Sequence, residues 1–181
     1  MCIRDRAYVD LNALISETAR LVDRAAHLNG TAIALDLDAA LPKVWIDGNH
    51  VKQVVMNMLV NAQHATEQGG TIRVATRAMP EPMATEPGAT PVKMVEITIA
   101  DTGCGIPAQD LNRIFDPFFT SKDVGKGTGL GLSVSHGIVK AHGGSIDVQS
   151  TVGEGSTFRI YLPMTDPSAT TPPSPEATKN E

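Results

Sequence analysis

The stretch DTGCGIP (Asp101–Pro107) opens the most informative part of the chain, which continues as IFDPFFTSK (Ile114–Lys122) and GKGTGLGL (Gly125–Leu132). An acidic residue begins a glycine-rich turn, a phenylalanine-rich segment follows, and a second glycine-rich loop leads into an apparent helix. Glycine permits sharp turns and close approach of a ligand. Backbone N–H groups in such a loop, beside a helix N-terminus, form an anion site. A single glycine-rich loop is weak evidence for a ligand-binding site, but these three segments in this order are strong evidence.

The apolar periodicity before this stretch predicts two helices. Apolar residues in steps of three and four follow Asp10 and predict a helix over Leu11–Leu28. Asp47 is expected to cap a second helix, whose apolar stripe consists of Val51, Val54, Val55, Met58, Leu59 and Ala62. The polar residues of this helix recur every three or four positions, so they share its other face: Gln53, Asn57, Asn61 and His64.

The remaining periodic segments predict a sheet and further helices. A short helix is expected at Ala108–Ile114 and a longer one from near Thr128 to Gly143. Strands are expected at Ile33–Leu37, Val44–Ile46, Thr71–Ala78, Val92–Ala100, Ser145–Ser150 and Thr157–Leu162. We therefore expect a two-layer α/β sandwich, in which one mixed, mostly antiparallel sheet is covered on one face by helices.

Length and composition restrict the class of protein. The chain has 181 residues, of which 41% are hydrophobic, so it can bury a core of one domain. The net charge is −5 and there is no basic run of the kind that marks nucleic-acid binding. No stretch approaches the roughly 20 apolar residues of a membrane span. The two cysteines form no disulfide framework or metal motif, which fits a reducing, cytoplasmic setting.

The two ends of the sequence differ from the middle. Met1–Arg6 (MCIRDR) reads like a translated transposon-end adapter, so we interpret it as a sequencing or cloning scar. Residues 165–181 are rich in Pro, Ser and Thr and are expected to be a disordered tail or linker. Residues 7–164 are then one domain, and the gene is expected to extend upstream.

With QVVMNMLVNA (Gln53–Ala62), the three segments resemble the N, G1, F and G2 boxes of the ATP-binding domain of sensor histidine kinases. The resemblance covers residues 8–164 and extends to gyrase, heat-shock chaperone and mismatch-repair ATPases. It implies ATP and Mg²⁺ as ligands, and a mobile lid between the phenylalanine segment and the second glycine loop. The short lid is similar to that of nitrogen-sensor and hybrid-type kinases.

Asn61 is the candidate ligand of Mg²⁺. Magnesium prefers oxygen ligands and keeps several waters, so one side-chain oxygen plus substrate phosphates can suffice. Asn61-Ala62 matches the family's pair in which the Asn holds Mg²⁺ between the phosphates. His64 could contact phosphate, or it could be an ordinary histidine on a helix face.

Asn57, one turn before Asn61, is also expected at the ATP site. In the related gyrase, chaperone and mismatch-repair ATPases a glutamate stands here and activates water. Asparagine is a poor general base. We therefore expect delivery of the γ-phosphate to another acceptor rather than efficient hydrolysis.

Asp101 is the candidate adenine-recognition residue. A carboxylate at a pocket floor can accept a hydrogen bond from the exocyclic amino group of adenine, whereas guanine presents a carbonyl oxygen there. The resemblance assigns adenine recognition to Asp101 and backbone contacts to Gly103 and Gly105. The alternative is a type I turn, in which Asp and Gly are common.

The phenylalanine segment and the second glycine loop are expected to close over ATP. The resemblance places the phenylalanine segment at the hinge of the lid and makes Phe115 a candidate ATP contact, while on their own these phenylalanines would be core residues. Lys122 could reach a phosphate or be solvated. The loop residues expected to contact ATP are Gly125, Gly127, Thr128, Gly129, Leu130 and Gly131. Thr157 could lie near the adenine pocket or be an ordinary strand residue.

The phosphoacceptor histidine of the family is missing from the sequence. In sensor histidine kinases this residue lies on a dimerisation hairpin and is followed by Glu or Asp and a nearby Pro. None of the histidines has that context: His27, His50, His64, His136 and His142. We expect the chain to donate the γ-phosphate to a His on an upstream hairpin and thence to the Asp of a response regulator. The alternatives are an ATP-hydrolysing clamp, an anti-sigma-type serine kinase and an ATP-gated binding module.

Overall fold

The computed structural model describes residues 6–28, 30–66, 69–85, 88, 90–120 and 128–165. Residues 1–5 and almost all of the predicted tail lie outside the described residues. Within the described part the helices are α1 (Leu11–Leu28), α2 (Gly48–Ala65) and α3 (Gly131–Ala141). The strands are β1 (Ala7–Val9), β2 (Ala32–Leu37), β3 (Val44–Ile46), β4 (Thr71–Ala78), β5 (Met94–Asp101), β6 (Ser145–Thr151) and β7 (Gly155–Pro163). None of the described helices has the length and apolar character needed to cross a membrane.

The main sheet has five strands in the order β2-β4-β5-β7-β6. β2 runs parallel to β4, and the other neighbouring pairs are antiparallel. At its centre Ile97 of β5 lies opposite Ile160 of β7. A second, two-stranded sheet pairs β1 with β3. The predicted fold class, a mixed and mostly antiparallel sheet packed against helices, is confirmed.

The core lies between the main sheet and the helices. Its buried members include Ile15 of α1, Leu59 of α2, and Ile97 and Ile160 of the sheet. The apolar stripe predicted for α2 is buried in full: Val51, Val54, Val55, Met58, Leu59 and Ala62. Burial of this stripe fixes the rotation of α2 about its axis, so its polar residues must face away from the core.

The predicted cap of α2 is confirmed. The Asp47 carboxylate accepts hydrogen bonds from the backbone N–H groups of Asn49 and His50, at 3.0 and 3.1 Å. These are N–H groups of the first turn, which have no partner within the helix. The cap sets where α2 begins, and therefore where each polar residue of the helix lies along its length.

Three local predictions differ from the structure. Residues 108–114 form turns rather than a helix, with the N–H groups of Asp110 and Arg113 bonded three residues back. Such bonds close single turns and do not continue as a ladder. α3 begins at Gly131 rather than near Thr128, because Gly129 has φ +65°, which a right-handed helix excludes. Strand β1 was not predicted.

His142, just after α3, is a buried contact between that helix and the start of α2. Its Nδ1 donates to the Ile138 carbonyl oxygen at 2.8 Å, and its Nε2 accepts from the Asp47 N–H at 3.1 Å. Because Nε2 accepts, the ring is neutral in this arrangement. Burial lowers the pKa of His142, as do the charges of Arg6 and His50, while the Ile138 bond and the Asp47 charge oppose the shift.

His142 is expected to make the free energy of unfolding depend on pH. Its folded-state pKa lies below the unfolded value of 6.5, so the unfolded chain binds the proton first. Stability contributed by the neutral ring is therefore present above this value and falls as the pH drops below it, by up to about 1.4 kcal/mol per pH unit.

Chemical denaturation at about pH 7.5 and about pH 5.5 tests this dependence against His142→Gln, which does not titrate there. We expect the wild-type chain to lose more stability on acidification than the variant. Equal losses in the two proteins would show that His142 is protonated as easily in the folded state as in the unfolded state.

Candidate nucleotide-binding site

A cavity of about 510 Å³ lies between α2, the chain after β5 and the start of α3. This volume is in the range of small-molecule sites. Eight predicted site residues line it: Asn57, Asn61, His64, Asp101, Gly105, Thr128, Gly129 and Gly131. Four others are described but do not line it: Gly103, Phe115, Leu130 and Thr157. Lys122, Gly125 and Gly127 lie outside the described residues.

The α2 wall of the cavity carries Asn57, Asn61 and His64. These residues are separated by one helical turn each, so they form a polar row opposite the buried stripe. A methyl group built on Gly131 would lie 3.8 Å from Asn57 Cγ and 3.9 Å from Asn61 Nδ2. The two asparagines therefore lie directly beside the first residue of α3, where the two helices meet.

Asp101, the last residue of β5, is a buried carboxylate in the wall of the cavity. Its Oδ1 accepts the N–H of Gly103 at 2.9 Å and the N–H of Ser156 at 3.3 Å. Burial raises the pKa of Asp101, and these two hydrogen bonds oppose the increase. Both bonds use Oδ1, so they orient the carboxylate and leave Oδ2 as the oxygen for a ligand. Gly103 acts here through its N–H and not as part of the wall.

Gly105 is required by close packing. Its φ is +72°, and a Cβ at this position would lie 2.1 Å from the carbonyl oxygen of Thr151. No side chain fits between these two backbones. The turn joining β6 to β7 therefore packs directly on the loop after Asp101, and the Gly153 N–H bonds to the Cys104 carbonyl at 2.9 Å. This contact fixes one end of the cavity.

The phenylalanine segment contributes a different side chain to the cavity than the one predicted. Phe115 is half-buried and packs against His136, with ring centroids 5.1 Å apart, rather than lining the cavity. Phe119 lines it, with the Arg113 guanidinium 4.9 Å from its ring centroid. Phe118 points outward and is 74% exposed. The segment consists of irregular turns, so neither the helical nor the strand period could predict which ring faces the cavity.

The two ends of the segment that includes the predicted lid are joined by a backbone hydrogen bond. The N–H of Phe118 donates to the carbonyl of Gly129 at 3.0 Å. Gly129 has φ +65°, and a Cβ there would lie 2.5 Å from the Phe118 carbonyl carbon. Leu130 follows outside the cavity and is 37% exposed. Gly129 is therefore the point at which the chain returns to the cavity and enters α3.

Gly129→Ala is expected to destabilise the protein by about 1–2 kcal/mol, because alanine resists a positive φ and its methyl group overlaps Phe118. Gly131→Ala is the matched control. A methyl group at Gly131 meets only ordinary contacts and lies in the first turn of a helix, where Ala is favoured over Gly. Urea denaturation of both variants measures the difference. Equal destabilisation would contradict a special role of Gly129 in this turn.

The structure adds lining residues that sequence analysis missed. Thr157 lies on β7 between Ser156 and Phe158, and the latter two line the cavity. Successive strand residues point to opposite faces, so Thr157 faces away from the site that its neighbours reach. The strand alternation could have identified Phe158 as the inward residue. Other apolar lining residues that were not predicted as site residues include Val60, Ile106, Ile114, Phe119 and Leu132.

Comparison with known proteins gives consistent matches. A family model described as histidine kinase-, DNA gyrase B- and HSP90-like ATPase matches residues 46–166, more than half of the chain. Sensor kinase CckA of Brucella abortus (strain 2308) is 42% identical over 160 residues, covering 86% of this chain and 17% of CckA. Sensor histidine kinase ZraS of Escherichia coli (strain K12) is 40% identical over 156 residues, covering 86% of this chain and 30% of ZraS. The chain thus spans less than a third of either curated relative.

Solved structures of histidine kinases share the fold. The nucleotide-free catalytic domain of ThkA superposes with a TM-score of 0.73 at 29% identity, covering 88% of this chain and 95% of that domain. Full-length ShkA in complex with AMPPNP gives 0.73 at 29% identity, with 87% of this chain and 31% of ShkA covered. ThkA in complex with the response regulator protein TrrA gives 0.70 at 26% identity, with 88% and 42% covered. The chain therefore belongs to the histidine kinase-, DNA gyrase B- and HSP90-like ATPase family, and it is an ATP-binding catalytic domain of the sensor histidine kinase type.

Proposed function

We propose that residues 7–164 bind Mg-ATP in the cavity beside α2 and donate its γ-phosphate to a histidine on a separate dimerisation hairpin. The observation that carries this proposal is the distribution of groups around the cavity. A buried, oriented carboxylate, Asp101, lies at the end of β5, and the amides of α2 meet the start of α3 elsewhere in the wall. The complex of the related ShkA with AMPPNP supports a nucleotide as the ligand.

The adenine would bind beside Asp101. The carboxylate accepts the exocyclic amino group, while the ring packs among the apolar side chains Ile106, Ile114 and Phe158, which line the same cavity. Burial of a flat apolar ring favours binding, and the Asp101 carboxylate supplies the choice of base. The bonds from Gly103 and Ser156 N–H groups hold the carboxylate still before the nucleotide arrives.

The phosphates would bind between Asn61 and the start of α3. The N-terminus of a helix offers unpaired N–H groups and the positive end of its dipole, which attract anions. Asn61 offers a hard amide oxygen on the cavity wall, and Mg²⁺ is satisfied by one such ligand with phosphate oxygens and waters. The donor set therefore fits Mg²⁺, which would neutralise charge on the phosphates as they react.

Asn57 supports transfer rather than hydrolysis. Its Nδ2 donates to the Gly131 carbonyl and to Ser135 Oγ, both at 3.2 Å. A neutral amide held in this way cannot take a proton from water. The chain's own groups bind and orient the phosphates, and the group that accepts the phosphoryl comes with the hairpin.

The hairpin is proposed to dock beside the cavity, where three apolar side chains are exposed. Phe118, Leu130 and Val134 are 74%, 37% and 38% exposed. The Phe118 N–H bonds to Gly129, and the Val134 N–H bonds to the Leu130 carbonyl, so the three belong to one region. A response-regulator receiver domain would then take the phosphoryl group. The complex of the related ThkA with the response regulator protein TrrA supports this step. Because the proposed reaction consumes ATP, we propose that the domain works in the cytoplasm.

The experiment that tests the proposal begins with the reading frame upstream of codon 7 in an independently prepared clone. The encoded hairpin is expressed separately and incubated with this chain and γ-labelled ATP. We expect label on the hairpin in an alkali-stable, acid-labile form, which is the behaviour of phosphohistidine. Acid-stable label would indicate a hydroxyl acceptor, and free phosphate without labelled hairpin would indicate hydrolysis. Either result would contradict the proposal.

A further inference from the structure

We propose that Ser135 is a positioning residue for the phosphates of the nucleotide, acting through the first turn of α3. The inference rests on the proposed function, because it concerns how the same cavity holds ATP. Ser135 does not line the cavity and is completely buried. It lies one turn after Gly131, where α3 packs on α2.

Three groups form a closed triangle at this helix contact. Ser135 Oγ donates to the Gly131 carbonyl oxygen at 2.8 Å. Asn57 Nδ2 donates to that same oxygen and to Ser135 Oγ, both at 3.2 Å. Asn57 belongs to α2 and the other two belong to α3, so the triangle joins the helices next to the cavity.

The directions of these hydrogen bonds are fixed by chemistry. A carbonyl oxygen only accepts, so the Ser135 hydroxyl must give its proton to Gly131. The hydroxyl then has only lone pairs for Asn57, and Asn57 must present its NH₂ group to both partners. The amide of Asn57 is thereby held in one orientation, with its Oδ1 directed away from the triangle. Without the Ser135 hydroxyl, the NH₂ group of Asn57 would keep only the Gly131 carbonyl oxygen as an acceptor, and its orientation would be less constrained.

The triangle also fixes an N–H group at the phosphate end of the cavity. The Gly131 carbonyl and the Leu132 N–H belong to one rigid trans peptide and point in opposite directions. Two side-chain bonds to the carbonyl therefore hold the plane of that peptide. In a helix its N–H points toward the N-terminus, which is the anion-binding end. Gly131 and Leu132 both line the cavity, so the held N–H lies where the phosphates are proposed to bind.

Ser135→Ala is expected to weaken ATP and ADP binding by about tenfold and adenosine binding by less than about twofold, because only the phosphates use this turn. The matched control is Ser133→Ala. Ser133 Oγ also bonds back to a carbonyl of the same turn, that of Leu130, at 3.0 Å, but it makes no contact with Asn57. Its removal should leave all three affinities unchanged.

Calorimetry of the full chain with Mg-ATP, Mg-ADP and adenosine decides between the outcomes. Adding Ser135→Ala to Asn57→Ala should cost little more, since both changes break one triangle. Additive losses, wild-type affinities in Ser135→Ala, or an equal loss for adenosine would each overturn the inference while leaving the proposed function standing. Failure of the wild-type chain to bind Mg-ATP would instead remove the proposed function and this inference with it. If Ser135→Ala does not fold, Asn57→Ala takes its place, because Asn57 is only half-buried and its truncation disturbs the fold less. A lower ratio of ATP to adenosine affinity than in the wild-type chain would support the inference, and an unchanged ratio would overturn it.

Discussion

Asn61→Ala is expected to abolish Mg²⁺-dependent binding of ATP while leaving the fold intact. The side chain lies on the cavity wall, outside the buried stripe of α2, so its removal opens no hole in the core. It is the proposed protein ligand of the metal. Loss of groups that merely support metal ligands already costs roughly 10–100-fold in metal affinity, so loss of the ligand itself should cost at least about 100-fold.

Calorimetric titration with ATP, in the presence and absence of Mg²⁺, measures this effect. Gln53→Ala is the matched control, because Gln53 lies on the same helix but is exposed and outside the cavity wall. Asn61→Asp keeps an oxygen ligand and should retain part of the affinity. If Asn61→Ala and Gln53→Ala bind Mg-ATP alike, the metal is held elsewhere and the assignment of Asn61 is wrong.

The α2 side of the site could be predicted from sequence because a helix repeats regularly. Burial of Val54, Val55 and Met58 fixes one face, and the cap at Asp47 fixes the start. The positions of Asn57 and Asn61 then follow from the helical period. The period-two alternation of strands likewise explains why β2 to β7 were found within a few residues of their observed ends, although β1 was missed.

The other side of the site depends on contacts that no period encodes. Gly105 meets Thr151, and Ser156 supplies an N–H to Asp101, across 55 residues of sequence. The choice of Phe119 rather than Phe115 as the lining ring arises in a run of turns, where each bond changes the direction of the chain. Such contacts need the tertiary structure, because the partners are far apart along the chain and each is ordinary in its own local sequence.

The pairing of Asn57 with Ser135 is a further case of this kind. An asparagine one turn before Asn61 can be assigned to the nucleotide site from its position on the helix. Only the structure gives its NH₂ group two acceptors on α3. From sequence, Asn57 is notable only because it is a poor base. The structure gives it a second role, which is to connect the two helices of the site.

Asp101→Asn is expected to weaken ATP binding by about 1–3 kcal/mol, or roughly 5–150-fold. The substitution keeps the shape of the side chain, and the remaining oxygen can still accept the N–H groups of Gly103 and Ser156. The second oxygen becomes an NH₂ group. It would then face the amino group of adenine, so that two donors meet and no hydrogen bond forms.

The same substitution should narrow or reverse the preference for ATP over GTP, because the carbonyl oxygen of guanine accepts from an NH₂ group. Asp110→Asn is the control, since Asp110 is another carboxylate of the cavity wall and its replacement removes the same charge. A general effect of charge would change the affinities for ATP and GTP by the same factor in both variants. Base recognition by Asp101 would instead change the ratio of these two affinities in Asp101→Asn alone. Competition of ATP and GTP for a fluorescent ATP analogue gives this ratio directly. A wild-type chain that binds ATP and GTP equally would show that Asp101 does not select the base.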